Sequence, residues 1–552
     1  MSNIDRSSAS MTSINVFIVL VSVNNKSSRS LANIAGIVAV ATLVSKLFGL
    51  VREQIIAAAF GVGTVVNAYA YAYVIPGFLL ILLGGINGPF HSALISVLAK
   101  RDKSEAAPIV ETVTTLVTVI LLVVTVVLVV FAGTFIDLLA PGLDTEVRQI
   151  AILQLQIMSP VAMLAGLIGI GFGTLNAADS YFLPSISPLF SSITIVVIMG
   201  CLLLQIGDKI NTPQYLTTGA IALAGATLAG AILQWLAQLI VQWRTGMGKL
   251  RLRFDWRIPG VMDVLKVMAP ATLSSGMLQI NVYTDLFFAS FIPGAAAAMR
   301  YGNFIALTPL GIISNTILVP FLPVFSRLAA PENWSELKVR IRQGLFLTAL
   351  TMLPLTAIFI SLALPIVKLV YERSQFDDNA ARQVAPLLMA YGLGLLFYLA
   401  RDVLVRVFYA LGDGETPFRI SIINIFLNAI LDFLLVNAFA APGLVMATIG
   451  VNIVSMVIFL WLLNKRLNGL PLGQWSKSLF GLLIATVLAS GASYGVSYVW
   501  QQYLGNNGLL LLFQLVVASL VAVIVFFVAI LPLRLPEVAM LLGKIKQKLG
   551  RS

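Results

Sequence analysis

The chain has 552 residues, of which 59% are hydrophobic and only 11% are charged. So little charge across so much apolar sequence describes a polytopic membrane protein and excludes a soluble domain. The net charge of +12 must then be read loop by loop, while one cysteine, Cys201, and one histidine, His91, are too few for an internal disulfide or a zinc site.

Residues 1–30 are rich in Ser and Asn and hold a short apolar run, INVFIVLVSV, at 14–23. Ten residues are too few to cross a bilayer as a helix, so this part reads as a poorly ordered N-terminal extension. Fourteen hydrophobic segments follow, at 31–60, 66–99, 108–139, 147–176, 182–206, 216–243, 260–291, 297–326, 338–370, 382–411, 416–438, 442–464, 475–501 and 508–532. The expected fold is therefore an all-α polytopic membrane protein with 14 transmembrane helices.

Lys and Arg test that count, because positive charge collects on the cytoplasmic side. With the N-terminus inside, 25 of the 35 basic residues fall on cytoplasmic segments and six, Arg300 among them, on the other face. Four remain within the membrane: Lys46, Arg52, Arg401 and Arg406. The split places both termini in the cytoplasm, and makes the basic balance a matter of topology and anionic lipid rather than nucleic acid.

Matched turns reveal an internal repeat. FGVG at 60–63 resembles FIPG at 291–294, and LNAADSYFLP ending at Pro184 resembles LGDGETP ending at Pro417, with offsets of 231 and 233 residues. Two six-helix lobes follow, 31–243 and 260–464, joined by a basic linker at 244–259 and related by a pseudo-two-fold along the membrane normal. Two more helices occupy 465–533, and a basic tail occupies 534–552.

The first segment carries Lys46, Arg52 and Glu53 in an otherwise apolar helix. Each charge near a bilayer centre costs roughly 2.5–3.5 kcal/mol, so three need a reason. Lys46 and Glu53 lie seven residues apart and can share a face, with Arg52 at its edge. One carboxylate leaves a cation in excess, which points to a polar cavity for an anion; a self-neutralising structural cluster is the other reading. At an offset of 231 the three residues correspond to Met277, Tyr283 and Thr284, so the cationic site belongs to the first lobe.

Further polar residues stand inside apolar segments. Asp402 and Arg406 are spaced to pair along one face, with Arg401 beside them. Asn424, Asn428 and Asp432 form a stripe suited to interhelical hydrogen bonds, and Asp432 and Asp285 are candidate coupling carboxylates. Asn67, Asn87 and Asn303 are candidates for cavity lining. No nucleophile stands with a base and no phosphate-binding loop or metal-ligand spacing is present, which argues against an enzyme.

Four stretches carry a family likeness: SKLFGLVREQIIAAAFGVG in the first helix, GTLNAADSYFLPSISP at 173–188, LVYERSQFD at 369–377 and FYALGDGETPFRI at 408–420. Together they resemble the MurJ (MviN) lipid II flippases, in the superfamily of multidrug and oligosaccharide-lipid exporters. The resemblance implies a V-shaped pair of lobes working by alternating access. Its cargo would be undecaprenyl-pyrophosphate-linked peptidoglycan precursor, moved to the outer leaflet of the bacterial inner membrane, with a groove for the polyprenyl tail on the last two helices. Lys46 stands where the family usually has arginine and Glu53 where it has aspartate; the family arginine of the eighth helix aligns with Phe304.

These readings make Lys46, Arg52 and Glu53 the substrate-binding residues. They imply no cofactor beyond a monovalent cation or the membrane potential. The expected partners are the lipid-linked precursor, membrane lipids and proteins of cell-wall synthesis or division, with the chain itself a monomer. An exporter of another polyprenyl-linked glycan, an ion-coupled small-molecule antiporter and a non-transporting envelope scaffold remain open alternatives.

Overall fold

The computed structural model describes residues 31–85, 88–277, 280–505 and 508–539. The apolar run at 14–23, Asn87 and most of the basic tail lie outside them. Among the described residues the regular structure is helical. In the first half come α1 (Leu31–Phe60), α2 (Thr64–Gly84), α3 (Pro89–Leu98), α4 (Lys103–Val130), α5 (Ala132–Leu139), α6 (Thr145–Met158), α7 (Pro160–Ala177), α8 (Phe182–Ile186), α9 (Pro188–Ile206) and α10 (Pro213–Arg244). The second half has α11 (Val261–Met277), α12 (Ile280–Ala289), α13 (Ala295–Arg327), α14 (Trp334–Tyr371), α15 (Asp378–Ala410), α16 (Glu415–Phe439) and α17 (Ala441–Arg466). It is followed by α18 (Leu472–Tyr503) and α19 (Gly508–Ile530).

Why these residues are helical is clearest in α4, whose VVTVVLVV run would favour a strand in water. In hydrocarbon each backbone N–H and C=O must find its partner within the segment, and that requirement overrides the preference of β-branched side chains. Eleven described helical stretches are long and apolar enough to cross a membrane. The helices α1, α11 with α12, and α13 supply the remaining hydrophobic segments, which is consistent with fourteen crossings. Large apolar side chains remain outward, such as Leu204 at 89% and Val487 at 71% exposure, as a lipid-facing surface requires.

The repeat seen in the sequence is visible in the backbone. Gly207, closing α9, has φ 58° and ψ −139°, and Ala440, closing α16, has φ 51° and ψ −136°. The two residues are 233 positions apart, as are Asp179 (φ 58°) and Gly412 (φ 74°) in the turns after α7 and α15. A non-glycine residue is strained in the left-handed region, so Ala440 holds a turn that its counterpart makes without cost.

The seventh segment straddles the two halves. Val261, Val264 and Met268 of α11 are buried in one cluster with Leu94 of α3, Val110 of α4 and Ile170 of α7. By contrast, α12 packs against α16 and α17. Arg101 reinforces the first attachment by donating to the Pro259 carbonyl at 2.9 Å.

On the face opposite the basic loops, the halves are locked together. Gln375 N–H donates to the Ala58 carbonyl at 3.1 Å, and the Asn211 amide donates to Gln375 Oε1 at 3.1 Å. Tyr301 Oη donates to the Gly61 carbonyl at 3.0 Å, and Gly142 N–H to Ser290 Oγ at 3.0 Å. Gly61, with φ 55°, lies so close that a Cβ there would stand 2.4 Å from the Gln375 carbonyl oxygen.

α18 and α19 pack on α14, which kinks at Leu362 (φ −122°) ahead of Pro365. Proline deprives the Ser361 carbonyl of its helical donor. At the same turn, Ser361 Oγ and Ser493 Oγ of α18 are 3.0 Å apart, so the bend is also where the last helix pair is attached.

Candidate functional site

Glu53 is the centre of the charge cluster. It is 2% exposed, and its carboxylate takes two guanidinium groups at once: Arg52 Nη2 and Nε at 2.8 and 3.1 Å, and Arg300 Nη2 and Nε at 2.8 and 3.1 Å. Glu53 lies seven residues from the end of α1 and Arg300 five residues past the start of α13, about 10 and 8 Å along their helices. The two halves thus bring their charges to one depth, just inside the locked face.

Arg300 also lies over the Tyr69 ring, 5.0 Å from its centroid, and Tyr69 is itself fixed by a 2.9 Å hydrogen bond to Thr227 Oγ1. Cation, ring and carboxylate together hold Arg300 in place while its side chain stays 18% exposed. Arg52 keeps 27% exposure. Both arginine side chains therefore remain partly exposed while their charge is held by Glu53.

Lys46 departs from the expected arrangement. Seven residues rise about 10 Å, and across that gap no Lys46–Glu53 ion pair forms among the described residues. Lys46 instead reaches across to α13, where Gly311 leaves room: a Cβ at that position would stand 3.3 Å from Lys46 Nζ. Two cations accordingly hold one carboxylate while Lys46 stands apart, so the three basic residues and Glu53 leave an excess of two positive charges. Arg300 does not belong to an outer loop, as its place in the Lys and Arg count suggested. It stands on the eighth apolar segment, one turn before Phe304.

The neutral candidates divide. Asn67 is 5% exposed, and its Oδ1 accepts the Ala297 N–H at 3.3 Å, so it joins the halves rather than lining a cavity. Asn303, one turn from Arg300, is partly exposed and has no hydrogen-bond partner among the described residues.

A second polar cluster occupies the second half. One amide, Asn428 Nδ2, donates to both Asp285 Oδ1 at 2.7 Å and Asp432 Oδ2 at 2.8 Å, while Thr448 Oγ1 donates to Asp285 Oδ2 at 3.2 Å. Asp432 and Asn428 are fully buried, and Asp432 Oδ1 and Asn428 Oδ1 find no partner. Asp285, Asn428 and Asp432 come from α12 and α16, so the stripe read from the sequence is completed by a helix it did not include.

The expected pairing of Asp402 with Arg406 is absent among the ion pairs of the described residues, and Arg401 turns to Asn452 Oδ1 at 3.5 Å. Spacing of four permits such a pair along one helix without requiring it, and Arg401 beside them engages the neighbouring α17. His91 meets Asn176 Nδ2 at 2.7 Å between α3 and α7, as an interior histidine with a partner.

The family model described as lipid II flippase MurJ matches residues 56–515. A probable lipid II flippase MurJ of Synechocystis sp. is 64% identical over 529 residues, covering 96% of this chain and 99% of the relative. The lipid II flippase MurJ of Burkholderia cenocepacia is 27% identical, over 86% of this chain and 91% of its own length. Among solved structures, lipid II flippase MurJ in an inward closed conformation aligns with a TM-score of 0.71 at 23% identity, covering 88% of this chain and 97% of that one. An inward-facing multidrug transporter of the MATE family aligns at 0.61 and 16% identity, over 78% and 98% of the two chains, a likeness of fold alone. The chain belongs to the MurJ lipid II flippase family.

Proposed function

We propose that this protein carries lipid II, the undecaprenyl-pyrophosphate-linked peptidoglycan precursor, from the cytoplasmic to the outer leaflet of the bacterial inner membrane by alternating access. The observation that carries the reading is the excess of positive charge around Glu53, with Arg52 and Arg300 partly accessible inside a membrane protein. Guanidinium forks suit phosphate oxygens, and Glu53 aims two of them from opposite halves at one place. Lys46, about 10 Å nearer the basic face, supplies the first point of attraction. Because Glu53 holds both arginines, substrate competes with a built-in carboxylate, which limits how tightly it is retained.

The basic loops give the orientation, with both termini in the cytoplasm. A pyrophosphate diester carries roughly two negative charges, and an inside-negative potential favours its outward movement by about 2.3 kcal/mol per charge per 100 mV. Asp285 and Asp432 supply a second source of bias. Two carboxylates sharing one amide, with unpartnered oxygens buried beside them, fit a monovalent cation, and its presence would relieve their repulsion. The prenyl tail would run along α18 and α19, and cell-wall synthesis proteins would receive the delivered precursor.

The test is complementation of a strain lacking its own lipid II flippase. The wild-type chain restores growth, and Arg52→Ala inserts at normal abundance but does not restore it. Growth rescue by Arg52→Ala would overturn the role given to this side chain.

A further inference from the structure

The linker between α10 and α11 alternates with a period of two: residues 249–257 read KLRLRFDWR. In a non-helical chain this repeat sets Leu250, Leu252, Phe254 and Trp256 against Lys249, Arg251, Arg253 and Arg257, with Asp255 the one acid among them. All four apolar side chains are 60–79% exposed, an arrangement a loop in water would avoid.

The segment is tied down along α4. Lys249 N–H donates to Glu111 Oε1 at 3.1 Å and Arg253 N–H to Thr115 Oγ1 at 3.0 Å, while Arg253 Nη1 donates to Glu111 Oε2 at 3.5 Å. Two tight turns bring Arg251 N–H to the Lys249 carbonyl and Trp256 N–H to the Phe254 carbonyl, each at 2.9 Å. Irregular backbone whose donors are met by protein suits a place where water is scarce. Its level is fixed as well. Glu111 and Thr115 precede the uncharged run LVTVILLVVTVVLVV at 116–130, so they mark the cytoplasmic boundary of the hydrocarbon. Arg251 and Arg257 are exposed, and neither they nor Lys249 have an ion-pair partner among the described residues.

We propose that residues 249–257 form an interfacial strap that binds anionic phospholipid of the cytoplasmic leaflet, its apolar side among the upper acyl chains and its arginines against the headgroup phosphates. A zwitterionic lipid would satisfy the apolar side equally well. The surplus of basic side chains, of which Glu111 engages only Arg253, is what selects net negative charge. Because α11 is buried against α3, α4 and α7, the strap gives the first half a grip on the inner leaflet that is independent of the pyrophosphate assignment.

The experiment reconstitutes the full-length protein in phosphatidylcholine vesicles. Either phosphatidylcholine or phosphatidylglycerol, at equal mole fraction, carries bromine near the headgroup end of its acyl chains, and the Trp256 signal is the difference between wild type and Trp256→Phe. Both brominated lipids quench Trp256, and phosphatidylglycerol is preferred about fivefold or more, the scale of one basic residue at an anionic surface. Replacing both arginines, Arg251→Gln with Arg257→Gln, abolishes the preference while phosphatidylcholine still quenches, which shows that the strap remains seated. Each arginine alone accounts for part of the preference, so the test stands if the double variant fails to fold. Quenching by neither lipid would overturn the strap and leave its apolar side to a protein partner. Equal quenching by both in the wild type, or a preference that survives in the arginine variants, would overturn the anionic selection.

Discussion

Glu53→Gln will destabilise the protein more than any single change among the site's charged residues. The carboxylate accepts from Arg52 and Arg300 together at 2.8–3.1 Å and is 2% exposed. Neutralising it leaves two guanidinium groups confined near each other without a counter-charge. Breaking a buried pair of this kind costs about 3–5 kcal/mol, chiefly through the uncompensated charge left behind. Arg300→Gln on its own removes one of two partners and should cost less, because Glu53 keeps Arg52. The double variant should be more stable than the sum of the single losses implies, since each change removes part of what the other leaves unpaired. Thermal unfolding midpoints of the four proteins in one detergent measure this coupling. Strict additivity would mean that the arginines are held by other contacts and that Glu53 does not organise the site.

Gly61→Val is expected to abolish transport by a different route. Gly61 sits at φ 55°, where an L side chain is disfavoured by roughly 1–2 kcal/mol, and its Cβ would collide with the Gln375 backbone oxygen. Backbone cannot rotate aside as a side-chain tip can. The locked arrangement of the halves should therefore be lost while each half remains packed. The reporter is a disulfide between Asn211→Cys and Gln375→Cys, whose native side chains are 3.1 Å apart, in a background where Cys201 is serine. It should form readily when Gly61 is kept and poorly when Gly61→Val is added. Equal cross-linking in both backgrounds would show that the contact at Gly61 does not control closure.

The sequence reveals the membrane-spanning architecture because every crossing demands some twenty apolar residues, a constraint too strong for local propensity to hide. Lys46, Arg52 and Glu53 stand out by the same logic, as charges in oil. Arg300 should have stood out too: it falls inside the eighth apolar segment, 297–326, yet the counting of loop charges assigned it to the outer face. A residue near a helix end is ambiguous between loop and membrane until packing fixes its depth, and the packing partner here is 247 positions away. The Asp402–Arg406 expectation failed for a related reason. Helical spacing states which groups can meet along one helix and not whether they do; Arg401, beside them, engages Asn452 of the neighbouring helix. The joint cluster of Asp285 with Asn428 and Asp432 likewise spans 143 positions between Asp285 and Asn428, beyond any local pattern.

The most direct measurement is a structure of the protein with lipid II bound in its cytoplasm-facing state. The pyrophosphate oxygens should lie within hydrogen-bond distance of Arg52 and Arg300, with Glu53 giving up part of its hold on at least one of them. Density for the pyrophosphate elsewhere, with both guanidinium groups still fully engaged by Glu53, would contradict the account.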